Sequence, residues 1–133
     1  MSTNAARAAT LVRALRARVD GDADTAADLY TEDVTAWTPR FATASRKELL
    51  AEFEDHDGAY TDIVLDVRPL EVGGDYACAE WTVTMTHAGK RVTGNGITVA
   101  EFRGEQICSL RQYWDELGVL ERLGLIARDS STE

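Results

Sequence analysis

Apolar residues follow two different periods along this chain, and the change of period predicts its architecture. Between residues 4 and 20 they recur at steps of three and four, as on one face of a helix that ends at Gly21. That stripe consists of Ala5, Ala8, Val12, Leu15 and Val19. From about residue 61 the period becomes two, which indicates strands whose side chains alternate between two faces. The pattern predicts helices first and a sheet after them.

Two shorter elements are predicted between the first helix and residue 40. Asp22 or Asp24 caps a short second helix that runs to about Tyr30, because aspartate oxygens accept hydrogen bonds from free helical N–H groups. The β-branched and aromatic residues at 34–38 indicate a short strand. This strand ends at Pro39, since proline cannot donate a hydrogen bond to a neighbouring strand.

Capping and spacing also mark a third helix and a final one. Ser45 and Glu48 have the spacing of a capping box, which satisfies free N–H groups at a helix start. The apolar face of this third helix is formed by Leu49, Leu50 and Phe53. The final helix is indicated by Leu117, Leu120 and Leu123.

The second half of the chain reads as an antiparallel meander with glycine-containing turns. Strands are predicted at 61–68, 76–86, 91–103 and 107–114. We therefore expect an α+β fold in which three N-terminal helices pack on one face of a curved sheet, with a short C-terminal helix. Residues 1–133 should form a single domain with an ordered core from about 5 to 126, since one domain is ordinary for this length.

The face of the sheet that points to the helices combines very large and very small side chains. The large ones are Phe53, Trp81, Met85 and Trp114, and the small ones are Ala36, Ala79, Gly94, Gly96 and Ala100. Such a mixture either leaves a void that holds a ligand or interlocks without one. Both interpretations stay open from the sequence, and so does the choice between core and pocket for the two tryptophans.

The opposite face is unusually apolar for a sheet surface in water. Its predicted members are Thr82, Thr84, Ile97, Val99, Ile107 and Tyr113, with Glu80, Glu101 and Arg111 among them. This composition favours a homodimer interface, although a solvated threonine-rich face is the alternative. The opposite register would bring the three charged residues inside and would favour acid–base catalysis.

Charge and cysteine content narrow the classes of partner and cofactor. The net charge is −9 and the isoelectric point is near 4.7, which argues against nucleic acid and anionic membranes as partners. Cys78 and Cys108 have no metal-binding spacing, so no metal or other cofactor is predicted and both thiols should be reduced. The chain shows no signal-peptide pattern and no membrane-spanning segment, so we expect a cytoplasmic protein.

Three sequence features together resemble one known family. They are the break at Gly21-Asp22, the strand Asp33–Pro39, and a closing pattern from Gly104 through Tyr113-Trp114-Asp115 to Leu123-Gly124-Leu125. In these features, which cover roughly residues 5 to 125, the chain resembles nuclear transport factor 2-like proteins of the SnoaL-like, or polyketide cyclase-like, group. The resemblance implies a cone-shaped mixed sheet. It implies no single function, because the fold hosts cyclases, isomerases, hydrolases, dehydratases and non-catalytic association domains.

The catalytic residues of two related enzyme types have no counterpart here. In ketosteroid isomerase-like sequences the general base and the two oxyanion-binding residues match Thr38, Ala14 and Thr98, none of which is an acid or a tyrosine. In limonene-type epoxide hydrolases a water-activating aspartate matches Gln112. The Asp115 carboxylate, beside an aromatic pair, is interpreted as the cap of the final helix rather than as a catalytic group.

The predicted ligand pocket combines the inner face with the apolar sides of the helices. Its residues are Ala14, Arg18, Thr38, Leu49, Phe53, His56, Ile63, Trp81, Val83, Met85, Thr98, Gln112 and Trp114. His56 ends an apolar helical face and Arg18 flanks another, so either side chain reaches the ligand or simply meets solvent. No catalytic residue is assigned.

Two functions from different classes follow. The first is a small-molecule-binding protein, with cyclisation or isomerisation of an apolar ligand as the favoured chemistry, since shape and hydrogen bonds suffice there. The second is a non-catalytic dimerisation module that uses the outer sheet face.

Overall fold

A computed structural model describes residues 3–54 and 60–115. Three helices are present there: α1 (Thr3–Asp20), α2 (Ala23–Ala27) and α3 (Arg46–Glu54). The strands are β1 (Tyr30–Trp37), β2 (Ala42–Thr43), β3 (Thr61–Leu70), β4 (Tyr76–His87), β5 (Lys90–Arg103) and β6 (Gln106–Trp114). The predicted final helix and His56 lie outside the described residues.

The six strands form one mixed sheet in the order β2-β1-β6-β5-β4-β3. Strands β3 to β6 are the predicted antiparallel meander, while β1 pairs with β6 in the parallel direction. The α+β prediction is confirmed, and helix α1 packs on the sheet across β3 and β4. The cone shape of the sheet stays a prediction.

Both predicted caps are present at the helix starts. The carboxylate of Asp22 accepts a hydrogen bond of 3.1 Å from the backbone N of Thr25, which fixes the start of α2. The hydroxyl of Ser45 accepts from the backbone N of Glu48 at 3.1 Å. Glu48 in turn accepts from the backbone N of Ala44 rather than of Ser45, so the box is one residue wider than predicted.

The second helix is shorter and the first strand longer than the local pattern predicts. Helix α2 ends at Ala27, and Tyr30 already belongs to β1. The cause is pairing with a distant strand, because Ile107 donates its backbone N–H to the carbonyl of Leu29 at 2.9 Å. Tertiary pairing therefore overrides the local helical preference at this point. Strand β2 was not predicted; it pairs with the end of β1.

Arg7 connects the first turns of α1 to the sheet through hydrogen bonds. Its Nη1 donates to the carbonyl of Gly74 and to the carboxylate of Asp75, both at 3.0 Å, and its Nη2 donates to the carbonyl of Gly104 at 3.2 Å. The same guanidinium lies over the ring of Phe102 at 5.5 Å from the centroid. One side chain thus holds two hairpin turns against the helix and fixes where α1 crosses the sheet.

The predicted inner face of β4, β5 and β6 is correct. Ala77, Ala79 and Trp81 of β4 are buried. Ala100 of β5 and Leu110 of β6 are buried in the same core cluster. Helix residues, among them Leu11 and Leu15, complete this core. Alternation along each strand was a sound guide wherever the pairing is regular.

The prediction for Ile107 is wrong, because a bulge interrupts the alternation. Ile107 was expected on the outer face, yet none of it is exposed. The register shifts here: Glu101 pairs with Ser109, but Phe102 pairs with Ile107, so Cys108 is an extra residue. A single extra residue turns every side chain beyond it to the other face.

A second bulge corrects the prediction for Ile63. The pairing of β3 with β4 shifts between Thr61 and Val64, and Asp62 adopts a positive φ of 50°. Ile63 lies within this irregular segment and is 37% exposed, so it is not an interior residue. The alternation resumes afterwards, and Leu65 and Val67 pack against the core.

Candidate functional site

A narrow cleft lies between α1, α3 and the inner face of the sheet. Its volume is about 10 Å³, which is room for about one water molecule. Nine residues line it: Ala14, Leu15, Arg18, Tyr30, Phe41, Leu49, Phe53, Leu110 and Gln112. The wall is mostly apolar, and Arg18, Tyr30 and Gln112 supply its polar groups.

Arg18 closes one side of the cleft with both its charge and its flat face. Its Nη1 donates to the backbone carbonyl of Glu52 at 3.1 Å, which ties α1 to α3. The guanidinium carbon lies 5.1 Å from the ring centroid of Phe53 and 5.9 Å from that of Phe41. These cation–π contacts hold the guanidinium between two rings at the cleft.

Tyr30 brings a nearly fully buried phenol into the cleft wall. Only 2% of the residue is exposed, and burial raises the pKa of the phenol far above its ordinary value, against the opposing effect of the Arg18 charge. Its backbone carbonyl accepts from Arg46 at 3.2 Å and from Gln106 at 3.3 Å, which fixes the start of β1. At neutral pH the side chain is therefore a neutral hydroxyl in a fixed place.

A small buried hydrogen-bond network supports the opposite wall. The indole Nε1 of Trp81 donates to the Thr98 hydroxyl at 2.9 Å, and the Gln112 side-chain amide donates to the same oxygen at 3.2 Å. Thr98 is fully buried, so these partners satisfy a hydroxyl that water does not reach. The centroid of the Trp114 ring lies 6.2 Å from that of the Trp81 ring. The amide of Gln112 is thereby oriented where it borders the cleft.

The predicted pocket residues separate into three groups. Five of them line the cleft: Ala14, Arg18, Leu49, Phe53 and Gln112. Three form the adjoining network or lie beside it: Trp81, Thr98 and Trp114. The others are more distant or differently engaged: Thr38, Ile63, Val83 and Met85.

Thr38 supports the cleft indirectly. Its hydroxyl accepts hydrogen bonds from the backbone N atoms of Arg40 and Phe41, each at 3.1 Å. It therefore holds the turn that carries the Phe41 ring and is not among the residues that line the cleft. Val83 packs against the core further along β4, where Met85 is half-buried.

The sequence pattern missed four lining residues: Leu15, Tyr30, Phe41 and Leu110. Leu15 was correctly predicted to lie on the apolar side of the first helix, but nothing local separates a core position from a cleft position. Tyr30 was not predicted to line the cleft because the pairing of β1 with β6 changes register between Tyr30 and Thr35. The alternation seen at residues 34–38 therefore does not give the direction of the Tyr30 side chain. Phe41 lies in a turn, where no period applies.

The chemistry available in the cleft is limited to hydrogen bonding and one positive charge. Among the lining residues that the structure describes, there is no aspartate, glutamate or histidine. Within residues 3–54 and 60–115 no cluster of side chains has the composition of a metal site. Cys78 and Cys108 are free, and partial burial raises the pKa of both thiols. The arrangement can therefore orient a ligand and stabilise negative charge on it.

The outer face of the sheet carries an exposed aromatic pair. The rings of Trp37 and Tyr113 lie 5.3 Å apart, and these residues are 45% and 43% exposed. Beside them the polar residues of β4 and β5 pair with each other, as in the 2.8 Å hydrogen bond from Thr82 to Asn95. Exposed aromatic surface of this kind is a common feature of association sites.

Comparison with known proteins finds similarity in fold throughout the chain. The SnoaL-like domain profile matches residues 11–110. AclR of Streptomyces galilaeus, a proposed hydroxylase, is 19% identical, with 98% of this chain and 88% of that chain covered and a TM-score of 0.79. IdmH of Streptomyces antibioticus, a proposed polyketide cyclase, is 16% identical over 89% and 98% of the two chains, with a TM-score of 0.77.

A third similar structure comes from another enzyme class. It is an epoxide hydrolase of the LEH-like type from Mycobacterium tuberculosis, 16% identical over 91% of each chain, with a TM-score of 0.75. No curated protein sequence matches the chain. Among the described helices, none combines the length and apolar character needed to cross a membrane. The cytoplasmic location stays a prediction.

Proposed function

Because the chain belongs to the SnoaL-like domain family, we propose that it binds a small, largely apolar molecule in the cleft between α1, α3 and the sheet. One observation carries this proposal: apolar side chains from both layers converge on a cleft that also receives three polar side chains, Arg18, Tyr30 and Gln112. A mostly apolar wall with few, fixed polar groups is the usual composition of a small-molecule site.

The ligand enters by displacing side chains, since the closed cleft has room for about one water molecule. Arg18 and Phe41, which are only partly buried, form the movable part of the wall. Their mutual contact is a cation–π contact between side chains, while Ala14 and Leu110 belong to the packed helix and strand. Side-chain rotation at the wall takes place without any change in the fold.

The chemistry that suits this cleft is a cyclisation or an isomerisation of the bound molecule. Such reactions can be accelerated by holding reacting atoms close together and by stabilising a developing negative charge. The described lining residues offer hydrogen-bond donors and one positive charge for these two purposes, without a carboxylate or an imidazole. The description of IdmH as a proposed polyketide cyclase supports the same class.

A thermal-shift screen of small apolar molecules, with paired variants, tests the binding proposal. Ala14→Leu fills the cleft from α1, whereas Ala9→Leu makes the same change on the exposed side of that helix. We expect compounds that stabilise the wild-type protein and the Ala9→Leu variant but not Ala14→Leu. Equal stabilisation of all three proteins would place the ligand elsewhere and remove the proposal.

The alternative function, an association module, is favoured by the exposed Trp37–Tyr113 pair. In this proposal the outer sheet face binds a second copy of the chain and buries the two rings at the interface. Aromatic residues are enriched at such interfaces. The two functions are compatible, because the cleft and the aromatic pair lie on opposite faces of the sheet.

Sedimentation velocity distinguishes this second function. Tyr113→Glu introduces a charge into the proposed interface, and Ala9→Glu introduces the same charge on the exposed side of α1. The expected result is a dimer for the wild-type protein and the Ala9→Glu variant, and a monomer for Tyr113→Glu. A wild-type protein that stays monomeric at all concentrations would exclude it.

A further inference from the structure

The side-chain amide of Gln112 uses only its nitrogen end within the part of the chain that the structure describes. Its Nε2 donates to the Thr98 hydroxyl at 3.2 Å, and this is the one hydrogen bond of the side chain among the described residues. The carbonyl oxygen Oε1 accepts none there. Gln112 is half-buried and lines the cleft, so an acceptor without a partner belongs to the cleft wall.

This oxygen is not sealed inside the protein. The fully buried side-chain atoms that lack a partner in the described residues belong to Arg7, Thr31 and Thr43. The oxygen of Gln112 is not one of them. An acceptor that has no protein donor and is not enclosed can accept a hydrogen bond from a molecule that occupies the cleft.

The pair formed by Trp81 and Thr98 orients the amide. The indole N–H of Trp81 can only donate, so the Thr98 oxygen acts as an acceptor at 2.9 Å. The amide nitrogen of Gln112 approaches the same oxygen from β6. The nitrogen end of the amide is therefore turned towards Thr98 and the oxygen end away from it.

The three polar side chains at the cleft differ in what they can bind. Arg18 carries only N–H donors, and one of them is already used by the backbone carbonyl of Glu52. The Tyr30 hydroxyl can both donate and accept. The carbonyl oxygen of Gln112 only accepts, and it binds a donor without removing its proton, because an amide is not a base near neutral pH.

We infer that Gln112 is a specificity-determining residue of the cleft and that its Oε1 accepts a hydrogen bond from an uncharged O–H or N–H group of the ligand. This inference rests on the proposed function and names its ligand class: a small apolar molecule with one hydroxyl or N–H donor. A ligand without that donor would cover the oxygen and leave it unpaired, which is costly. Sites that hydrogen-bond a donor reject analogues that lack it for this reason.

A half-turn of the amide is the competing arrangement. It would let the Thr98 hydroxyl donate to Oε1 and would present the N–H donors of Nε2 to the cleft. The ligand would then need an acceptor, such as a carbonyl oxygen. The two arrangements therefore predict opposite preferences between donor and acceptor ligands.

The bicyclic probes indole, indene and 1-indanone make this distinction. They are similar in size: indole has an N–H donor, indene has neither donor nor acceptor, and 1-indanone has a carbonyl acceptor. Ligand-observed NMR measures the affinity of each probe, and the N–H proton shift of isotope-labelled indole reports whether that group donates in the complex.

Paired variants assign the preference to Gln112. Gln112→Met keeps the length of the side chain without the amide, and Asn95→Leu is the control, since it removes an amide from the exposed outer face. Ala14→Leu fills the cleft and tests whether the probes bind there.

We expect the wild-type protein and Asn95→Leu to bind indole about tenfold more tightly than indene or 1-indanone. The N–H proton of bound indole should move downfield. Gln112→Met should bind indole and indene with nearly equal affinity. The proton shift in the wild-type protein is a readout that does not depend on the folding of any variant.

The outcomes separate the inference from the proposed function. If the wild-type protein binds indene or 1-indanone as tightly as indole, or if Gln112→Met keeps the preference for indole, the inference is overturned while binding in the cleft stands. If no probe binds the wild-type protein, or if Ala14→Leu binds the probes as tightly as the wild type does, the proposed function fails together with the inference.

Discussion

Trp81 and Thr98 are joined across β4 and β5 by a hydrogen bond of 2.9 Å from the indole Nε1 to the threonine hydroxyl. The amide of Gln112 shares that oxygen from β6, so one buried hydroxyl connects three strands behind the cleft. Thr98→Val keeps the shape of the side chain but removes the acceptor from two donors. We expect the free energy of unfolding to fall by about 1–3 kcal/mol, measured by urea unfolding.

Thr93→Val is the matched control for this prediction. It makes the same substitution in the same strand, but on the exposed outer face, where it removes only an exposed hydrogen bond to the Thr84 hydroxyl that water can replace. Its stability should stay within about 0.5 kcal/mol of the wild type. If Thr98→Val is as stable as Thr93→Val, the hydrogen bonds to Thr98 do not contribute to the stability of the fold.

Gly96 is required because the Trp81 ring packs directly against the β5 backbone. A Cβ atom at Gly96 would collide with the six-membered ring of Trp81 and would lie 2.6 Å from the carbonyl oxygen of Tyr113. Gly96→Ala should therefore destabilise the protein by about 1–3 kcal/mol in thermal or urea unfolding. Gly73→Ala is the control, since no atom lies within 4 Å of its added Cβ. Equal stability of the two variants would contradict the packing described here.

Removing the Tyr30 hydroxyl should not destabilise the ligand-free protein. Tyr30→Phe keeps the buried ring and deletes a hydroxyl that has no hydrogen-bond partner in the described residues. We expect the free energy of unfolding to stay equal or to rise by up to about 1 kcal/mol. A loss of more than about 1 kcal/mol would mean that the hydroxyl makes a stabilising contact in the folded protein and would contradict this expectation.

Acid sensitivity should depend partly on Asp22 at the start of α2. Hydrogen bonds from the hydroxyl and the backbone N of Thr25 lower the pKa of the Asp22 carboxyl below its ordinary value of 3.8. Because the folded pKa is the lower one, this stabilisation is complete above the ordinary value and is lost as pH falls through the folded pKa.

Asp22→Asn keeps an oxygen acceptor for the cap but cannot titrate. Urea midpoints measured from about pH 6 down to about pH 2 should fall less steeply for this variant than for the wild type. Parallel curves for the two proteins would show that Asp22 contributes nothing to the acid sensitivity.

Much of the fold could be predicted because its periodic segments are long and mostly regular. The change from helical to alternating periodicity identified α1 and the four-stranded meander. The alternation along β4 also placed Trp81 on the correct, inner face of the sheet. For Ile107 and Ile63 the predicted direction of the side chain was wrong, and both residues lie at bulges. A bulge depends on how two strands pair, so a period read along one strand cannot reveal it.

The candidate site could be predicted less fully than the fold. Two of the predicted residues on regular elements, Ala14 on α1 and Gln112 on β6, line the cleft. Tyr30 and Phe41 were missed, because a shifted register and an irregular turn place them at the cleft. Local pattern gives the face of an element, whereas the convergence of three elements depends on how they pack.

Chemical-shift mapping of the backbone amides during titration with the strongest compound from the thermal-shift screen tests the central claim most directly. If the cleft between the helices and the sheet is the binding site, the largest changes will occur at residues such as Ala14, Phe53 and Gln112. Changes confined to the outer face around Trp37 and Tyr113, or no changes in the described residues that line the cleft, would contradict the account.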